Sequence, residues 1–380
     1  MYRILKIGMD VHSTNFTLCA VEPILGQEEN ILARLTVDPD YKNVIDFINK
    51  LKKSLKVSDK ECEIQCGYEA GCLGYSLYEQ LTHAGLKCVI MAPTTMLTPQ
   101  GVWVKTDKRD ALRIAKCLCY GGYHAVYVPT KEDNAVKEYL RMRDDHKITA
   151  KKIKQQIGAY CLRHGLIYEG TNWTGKHRAW LKAQKLDPIS QETLNEYLIS
   201  LEEAEAKVAR FDKRIEEIAL GANYVEKVKQ LRCFLGIETH TALSLIVETG
   251  DFRRFAKANI YAAYLGLAPG EHSSSTDINR LGITKAGNSH LRRLLIESAG
   301  GICKGSIGQK SKALRARQEG NTAEVIAYAD HANVRLRSRY YHYIRHGKKR
   351  NVAVTAVARE LACFIWGMMT DHIALTPVWS

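Results

Sequence analysis

The chain has 380 residues, 46% of them hydrophobic, which is enough for two domains that each bury a core. Its formal net charge of +14 favours a polyanionic partner, either nucleic acid or an anionic membrane surface. The apolar run 361–369 is shorter than the ~20 residues that span a bilayer, and Asp10 stands where a signal peptide carries its apolar stretch. These features favour nucleic acid over a membrane.

The cysteines argue against a structural metal site. There are 11, scattered along the chain, and no two of them form a Cys-x-x-Cys pair. The closer pairs, Cys62/Cys66 and Cys117/Cys119, have no matching His or Cys cluster downstream, as structural zinc would require. Free thiols at this density fit a reducing compartment, so we expect a cytoplasmic protein.

Residues 3–128 alternate between patterns typical of strands and helices. The predicted elements are strands 4–9, 16–21 and 31–37, helix 41–55, strand 63–68, helix 73–84, strand 87–91 and helix 107–118. This element order is that of ribonuclease-H-like folds, although other α/β folds share it. We therefore predict an α/β domain over residues 1–128.

Residues 129–230 are predicted to be mostly helical and charged. Apolar residues at helical spacing form two stripes, one at Ile153, Ile157 and Tyr160, the other at Leu194, Leu198, Leu201, Val208, Phe211, Ile215 and Ile218. Stripes of this kind between charged flanks predict a long hairpin of helices, of the coiled-coil type. Two interpretations stay open, a bundle core within one chain and a dimerisation stalk.

Residues 231–380 are predicted to form a third segment, a compact and mostly helical domain. Glycines interrupt it at Gly236, Gly266, Gly270, Gly282 and Gly287. The final helix, predicted over 352–369, is apolar on most of its turns and is expected to pack in the core.

Four acidic residues are spaced so that they can meet at one site. Asp10 ends the first predicted strand and Glu69 the fourth, and such ends can lie side by side in a sheet. Asp107 and Asp110 are three residues apart, so they share one face of a helix. Carboxylates suit Mg²⁺, and two such ions ~3.5–4 Å apart stabilise both oxygens of an in-line phosphoryl displacement. The pattern predicts a two-metal, nuclease-like site.

Each acid also has an ordinary structural interpretation. Asp10 can open a turn, Glu69 can be a solvated strand end, and Asp107 can cap a helix whose first turn favours Asp110. The combination is more specific because cations surround the last two acids, as an approaching phosphate backbone requires. The predicted nucleic-acid contacts here are Lys105, Lys108, Arg109 and Arg113.

A serine triplet, Ser273 to Ser275, follows a Gly/Pro turn and precedes a basic stretch. The candidate nucleic-acid contacts in that stretch are Arg280, Lys285, Asn288, Arg292 and Arg293. A helix N-terminus beside Arg and Lys is a natural phosphate site, and an exposed serine there can attack a phosphodiester when a metal ion activates it. Taken alone, a serine triplet is more often a flexible polar loop.

Residues 331–350 contain seven Lys or Arg, no acid and three interleaved tyrosines. Charge and stacking together predict a clamp for RNA or DNA, and the alternative is a solvated basic face. The predicted contacts are Arg337, Arg339, Tyr341, Arg345, Lys348, Lys349 and Arg350.

Six segments, in this order, resemble one family, the DEDD-type transposases of the "one-ten" insertion sequences, which are bridge-RNA-guided recombinases. The segments are IGMDVH, YEA, VKTDKRDALRIA, LGLAPGEHSS, GITKAGNSHLRRLL and YYHYIRHGKKRNVAVTAVARELA. The resemblance extends over nearly the whole chain.

The resemblance implies a RuvC-like N-terminal domain whose metal-binding acids match Asp10, Glu69, Asp107 and Asp110. It also implies a coiled-coil segment and a transposase domain in which Ser274 attacks a DNA phosphate, assisted by Mg²⁺. The partners it implies are target and donor DNA, a guide RNA that pairs with both, and further copies of the chain in a homodimer or homotetramer. The protein would then act on the bacterial nucleoid.

The chain departs from the family pattern at one position of the serine segment. The family serine usually stands in a Ser-Ser-Gly context, whereas Ser275 replaces that glycine here, so Ser273 and Ser275 stay as lesser candidates. An alternative interpretation is a junction-resolving nuclease with the same acids and water as nucleophile. A non-catalytic RNA-binding protein is a third, but it leaves the four acids and the serine without a role.

Overall fold

The structure, a computed structural model, describes residues 2–24, 29–97, 106–271 and 280–373. The chain divides into two compact units, Met1–Val128 and Pro129–Ser380. The predicted combination of an α/β domain with a mostly helical remainder is confirmed. The further boundary predicted at residues 230/231 stays a prediction. All 11 cysteines are free thiols.

The first unit contains a five-stranded sheet in the order β3-β2-β1-β4-β5. Its strands are β1 Arg3–Val11, β2 Phe16–Glu22, β3 Asn30–Val37, β4 Cys62–Glu69 and β5 Lys87–Met91. β1, β2 and β3 pair antiparallel, whereas β4 pairs parallel with β1 and β5 parallel with β4. The five predicted strands are thus confirmed to within one or two residues at each end.

Three helices pack on this sheet, α1 Tyr41–Leu55, α2 Ser76–His83 and α3 Asp107–Tyr120. The apolar faces of α1 and α2 share one core cluster with Leu5, Ile7 and Met9 of β1. Ala111 and Ala115 of α3 pack instead with side chains that point to the other face of the sheet, because side chains alternate along a strand. α1 and α2 therefore cover one face of the sheet, and α3 covers the other.

The second helix begins later than predicted. A helix expected over 73–84 forms over Ser76–His83, because Gly74, at φ +63°, turns the chain just before it. α3 begins at Asp107 as predicted and continues to Tyr120, where the left-handed Gly121 ends it.

The second unit is mostly helical over its described residues. Its helices are α4 Lys131–Arg163, α5 Gly175–Lys182, α6 Pro188–Ala219, α7 Val225–Leu231, α8 Thr239–Thr249, α9 Ala258–Tyr264, α10 Ser289–Ile302, α11 Lys312–Gln318, α12 Ala323–Arg345 and α13 Arg350–Met369. Arg143 of α4 donates a hydrogen bond to Asp212 of α6, and the hydroxyl of Tyr160 donates one to the carbonyl of Ser190. α4 and α6 therefore run antiparallel, as the predicted hairpin.

The apolar stripe of α6 is used inside the chain. Leu194, Leu198 and Leu201 are buried with Ile157 and Tyr160 of α4. Further along α6, its stripe joins the main core of the second unit, together with α4, α7 to α10, α12 and α13. This packing agrees with the first of the two interpretations, a bundle core within one chain.

α13 is the one helix of the described chain with the length and apolar composition to cross a membrane. Its side chains Val357, Leu361 and Ile365 are, however, fully buried in the main core. The packing is that of a core helix, as its sequence predicts.

Two short strands form where only helices and breaks are predicted. β6 Pro269–Glu271 and β7 Arg280–Ile283 pair antiparallel, with Glu271 opposite Arg280. Strands this short carry too few residues to show alternation in the sequence. Their pairing places Glu271 and Arg280, which flank segment 272–279, opposite each other.

Candidate active site

Strand alternation turns two of the four acids toward the same face of the sheet. β1 and β4 are parallel neighbours in which Gly8 lies opposite Gly67. Asp10 and Glu69 each follow two residues later, near the carboxyl ends of their strands. Because side chains alternate along a strand, both acids share the face of Gly8 and Gly67. α3 covers that face.

The backbone of α3 lies against β1 at Gly8. A Cβ atom on Gly8 would overlap the carbonyl oxygen of Ala111 and the amide nitrogen of Ala115. The absence of a side chain at this position therefore lets the helix lie against the strand, one turn beyond the helical acids.

The first turn of α3 carries the other two acids. The hydroxyl of Thr106 caps this helix by accepting a hydrogen bond from the amide of Arg109 at 3.4 Å. Asp107 and Asp110 both lie in that turn. The ordinary interpretation of Asp107 as the cap is therefore wrong, although both carboxylates still interact favourably with the helix dipole at this end.

Asp10, Asp107 and a histidine form a cluster. The ligand atoms of Asp10, His12 and Asp107 all lie within 4.8 Å of one another. His12 Nε2 is 3.4 Å from Asp10 Oδ2. The sequence prediction missed His12 as a site residue, although its position two residues after Asp10 keeps it on the same side of an extended chain.

An arginine joins the remaining two acids. Arg113 Nη2 donates to Glu69 Oε2 at 2.7 Å, and Arg113 Nε lies 3.5 Å from Asp110 Oδ1. Burial opposes the charge of Arg113, but the hydrogen bond to Glu69 and the charge of Asp110 raise its pKa above the usual value. Arg113, predicted as a nucleic-acid contact, is therefore an ion-pair partner of the acids in this structure.

The acids share one electrostatic environment. Burial raises the pKa of Asp10, the neighbouring His12 opposes this, and the negative charges of Asp110 and Asp107 add to it. Several half-buried carboxylates that repel one another are a donor set that a hard divalent cation such as Mg²⁺ would neutralise. The residues present therefore fit a divalent metal ion.

The serine segment lies outside the described residues. Predicted site residues in segments 98–105 and 272–279 are Lys105, Ser273, Ser274 and Ser275. The residues that flank the second segment, Glu271 and Arg280, are described and lie opposite each other in the pair of β6 and β7. Ser274 as nucleophile and Lys105 as a nucleic-acid contact stay predictions, and only the backbone of Arg280 is described.

Side chains hold the N-terminus of α10, the helix that follows the serine segment. Asn288 Oδ1 accepts from the amide of Leu291 at 3.0 Å, and its Nδ2 donates to Glu248 Oε2 at 2.9 Å. Arg292 Nη1 donates to the carbonyl of Leu265 at 2.9 Å. Asn288 and Arg292, predicted nucleic-acid contacts, are thus engaged within the chain, whereas the predicted contact Lys285 is exposed.

A buried polar network surrounds Asp144 of α4, which is 5% exposed. Arg293 of α10 donates to Asp144, as does Arg143 Nη1 at 3.1 Å. His240 Nε2 lies 3.2 Å and His290 Nε2 3.8 Å from the carboxylate. No sequence signal links these five residues. The network also gives Arg293, a predicted nucleic-acid contact, a partner inside the chain.

Two predicted nucleic-acid contacts of the basic stretch form hydrogen bonds with a loop of the chain instead. Arg337 is buried, and its guanidinium donates to the carbonyls of Ile302, at 2.9 Å, and Ser306. The hydroxyl of Tyr341 donates to the carbonyl of Gly305 at 2.7 Å. Arg337 therefore holds the segment after α10 and does not face solvent, where nucleic acid would bind.

The other predicted cations face solvent. Arg339 lies over the ring of Tyr343, 5.2 Å from its centroid. The exposed cations at the turn between α12 and α13 and in the first turn of α3 are Arg345, Lys348, Lys349, Arg350, Lys108 and Arg109. They have the exposure that contact with a phosphate backbone requires, and their role stays a prediction.

Two family models match the chain, one over each unit's candidate chemistry. Residues 7–163, which include the four acids, match a transposase family of the DEDD and IS110 type. Residues 228–314, which include the serine segment, match the Transposase IS116/IS110/IS902 family.

Curated relatives are similar over most of the chain. The putative transposase y4qE of Sinorhizobium fredii is 36% identical over 306 residues, covering 80% of this chain and 75% of that protein. The transposase for insertion sequence element IS1533 of Leptospira borgpetersenii is 30% identical over 351 residues, covering 90% and 96%. The transposase for insertion sequence element IS1111A of Coxiella burnetii is 26% identical over 377 residues, covering 96% and 89%. The resemblance inferred from the motifs is confirmed: the chain is a DNA transposase that belongs to the IS116/IS110/IS902 family.

Proposed function

We propose that this transposase cuts and rejoins DNA by serine transesterification at a metal-assisted site, guided by a bridge RNA. The observation that carries the proposal is the meeting of two strand-end acids, Asp10 and Glu69, with two acids of one helical turn, Asp107 and Asp110. Such a group of carboxylates suits metal-assisted phosphoryl transfer.

The first unit is, in this proposal, an RNase H-like domain of the RuvC type. The strand order β3-β2-β1-β4-β5 supports this, with three antiparallel strands followed by two parallel ones. The acids on β1, β4 and the last helix of the unit support it as well. A fold alone does not establish chemistry, so the proposed reaction depends on these side chains.

The four acids would hold two Mg²⁺ ions, with His12 beside Asp10. Bound divalent ions supply Lewis-acid stabilisation of the charge that develops on phosphate oxygens. The carboxylates contribute the negative charge that holds such ions. The exposed Lys108 and Arg109 beside them would attract the DNA backbone to the site.

The proposed reaction is a transesterification. The Oγ of Ser274 attacks a DNA phosphate, so that the serine–phosphorus bond forms and the bond to the 3′ oxygen breaks. The 3′ oxygen leaves with a proton as a free hydroxyl. After strand exchange, a 3′-hydroxyl attacks the phosphoserine and restores the serine. The phosphodiester energy stays in the covalent link, and no nucleotide cofactor is consumed.

The proposed partners are target DNA, donor DNA and the guide RNA that pairs with both. The net charge of +14 supports a polyanionic partner. We expect the reaction to take place in the bacterial cytoplasm, at the nucleoid. We expect the active protein to be a homodimer or homotetramer. Free thiols throughout the chain support a reducing compartment.

The covalent intermediate provides the test. The full chain is incubated with guide RNA, matched DNA and Mg²⁺, and then denatured in SDS. We expect a DNA adduct that survives SDS in the wild type and in Ser273→Ala and Ser275→Ala, but not in Ser274→Ala or Asp10→Asn. An absence of adduct under these conditions with the wild type would overturn the serine mechanism.

The alternative is a junction-resolving nuclease in which water is the nucleophile. The same acids support it, because their geometry does not specify what attacks the phosphate. It predicts that Ser274→Ala still cleaves DNA and that Asp10→Asn does not. Loss of cleavage in both variants excludes this alternative.

A further inference from the structure

The four acids divide into two halves according to what they contact. Asp10 and Asp107 lie beside His12, with ligand atoms within 4.8 Å of one another. Glu69 and Asp110 share instead the guanidinium of Arg113, at 2.7 Å and 3.5 Å. One half therefore offers its oxygens to a cation, while a side-chain cation already neutralises the other half.

We propose that Arg113 is a positioning residue that holds Glu69 and Asp110 together and must release them before a second divalent ion binds. The inference rests on the proposed two-metal site and gives its two ions an order. The first ion binds beside Asp10 and Asp107. The second binds only when the guanidinium leaves the other two acids.

The contacts of Arg113 make it an effective competitor for a metal ion. Its guanidinium is charged at every physiological pH and is planar, so one side chain reaches two carboxylates at once. The side chains of Arg113 and Asp110 are only 21% and 16% exposed, so water screens their attraction weakly. Arg113 also follows Asp110 by one helical turn, which gives the pair its contact without any movement of the backbone.

The phosphate backbone of DNA supplies the release. Phosphate oxygens accept two parallel hydrogen bonds from a guanidinium, as a carboxylate does. A bound phosphate therefore gives Arg113 another acceptor and leaves Glu69 and Asp110 to a metal ion. The second ion would then be held only when substrate is present, which restricts cleavage to correctly bound DNA.

The test measures Mn²⁺ binding to the full chain, without and with DNA, by isothermal titration and by the electron paramagnetic resonance signal of free Mn²⁺. Without DNA, we expect the wild type to bind one ion more tightly than the second. In Arg113→Gln the second ion should bind about tenfold more tightly, because its competitor is gone. DNA should tighten the second site in the wild type and change it less in the variant.

Two further variants control for charge and folding. Lys116→Gln removes the same charge from the same helix, but Lys116 pairs with Glu29 at 2.9 Å and not with the acids, so it should bind Mn²⁺ as the wild type does. Arg113→Lys keeps the charge and loses the planar fork, so its second site should lie between those of wild type and Arg113→Gln.

The outcomes separate this inference from the proposed function. If Arg113→Gln retains the first site and binds the second ion no more tightly than the wild type, the role of Arg113 is overturned and the metal site stands. If the wild type binds no Mn²⁺, or Asp10→Asn binds it equally well, the metal site itself is overturned, and the inference with it.

Discussion

Asp144 shows how much of the second unit depends on a single buried charge. Burial alone would raise its pKa, but the close contact with His240, the hydrogen bond from Arg143 and the charge of Arg293 together lower that pKa well below the usual range. The carboxylate is thereby kept ionised where it links α4, α8 and α10. The same contacts orient the helix that follows the serine segment.

Replacement of this carboxylate should destabilise the second unit. Asp144→Ala removes a buried acceptor from Arg143, which keeps Asp212, and from the partly exposed Arg293, which keeps Glu297. Loss of one partner of a buried hydrogen bond costs about 1–3 kcal/mol. Urea unfolding of the full chain measures the change. Asp145→Ala removes the same group from the neighbouring exposed position and should change the free energy of unfolding by less than about 0.5 kcal/mol.

The stabilisation that Asp144 provides should decrease at low pH. Because the pKa of Asp144 is lower in the folded state, its stabilisation is complete above the unfolded value of about 4 and is lost as the pH falls below it. The difference in unfolding free energy between wild type and Asp144→Ala should therefore shrink between about pH 5 and pH 3. A difference that stays constant over this range would contradict the assignment of the pKa shift to Asp144.

Among the elements, the contact between β1 and α3 decides whether the acids meet. The strand carries Asp10 and the helix carries Asp107 and Asp110, and Gly8 is where their backbones touch. The register of β1 with β4 then sets Glu69 beside Asp10. Close packing of one helix on one strand is thus a requirement of the proposed metal site as well as of the fold.

A side chain at Gly8 should separate these elements. A Cβ atom there meets the backbone of Ala111 and Ala115, which cannot move out of the way as a side chain can, so Gly8→Ala should cost about 3 kcal/mol or more. It should also speed hydrogen exchange in α3 and weaken Mn²⁺ binding. In Gly67→Ala, on the neighbouring strand, the Cβ atom would lie 2.8 Å from the methyl of Met91 and 3.0 Å from Leu118. These are the ends of side chains, so we expect a smaller cost of about 1 kcal/mol. Equal effects of the two substitutions would contradict this role of Gly8.

The elements that the sequence predicts well are those with a long periodic pattern. Helix 41–55 is found at its predicted bounds, because its apolar spacing and the cap at Asp40 agree. The start of α2 is displaced by the turn at Gly74, a local backbone state that periodicity does not report. The hairpin of β6 and β7 is too short to give any pattern.

The site was predictable to the extent that it depends on strand ends and helix faces. Those rules place Asp10 and Glu69 near strand ends and Asp107 and Asp110 in one helical turn, as the structure has them, and their role as metal ligands stays a prediction. Partners across the fold give no such signal. Arg113 has the exposed spacing of a phosphate contact yet pairs with Glu69, which lies 44 residues away, and Arg293 lies 149 residues from its partner.

On the scale of the whole molecule, charge is the property most directly tied to nucleic acid. The net charge is +14, but several of the predicted contacts are occupied by partners within the chain. The turn between α12 and α13 is different, because Lys348, Lys349 and Arg350 are consecutive and exposed there. Exposed cations of this kind bind DNA by displacing its counterions, independently of sequence.

Neutralising this turn should therefore weaken DNA binding in a salt-dependent way. Each phosphate contact contributes about −0.9 to the slope of log Kobs against log salt concentration, so the combined change Lys348→Gln, Lys349→Gln and Arg350→Gln should reduce the slope by about 2 to 3. Fluorescence anisotropy with a duplex of random sequence, over a series of salt concentrations, measures it. A control with the same loss of charge replaces exposed cations of α1, namely Lys42, Lys50 and Lys53. α1 covers the face of the sheet opposite the acids, so this control should leave the slope nearly unchanged. Equal slopes in the two triple variants would mean that the chain binds DNA through its net charge and not through this turn.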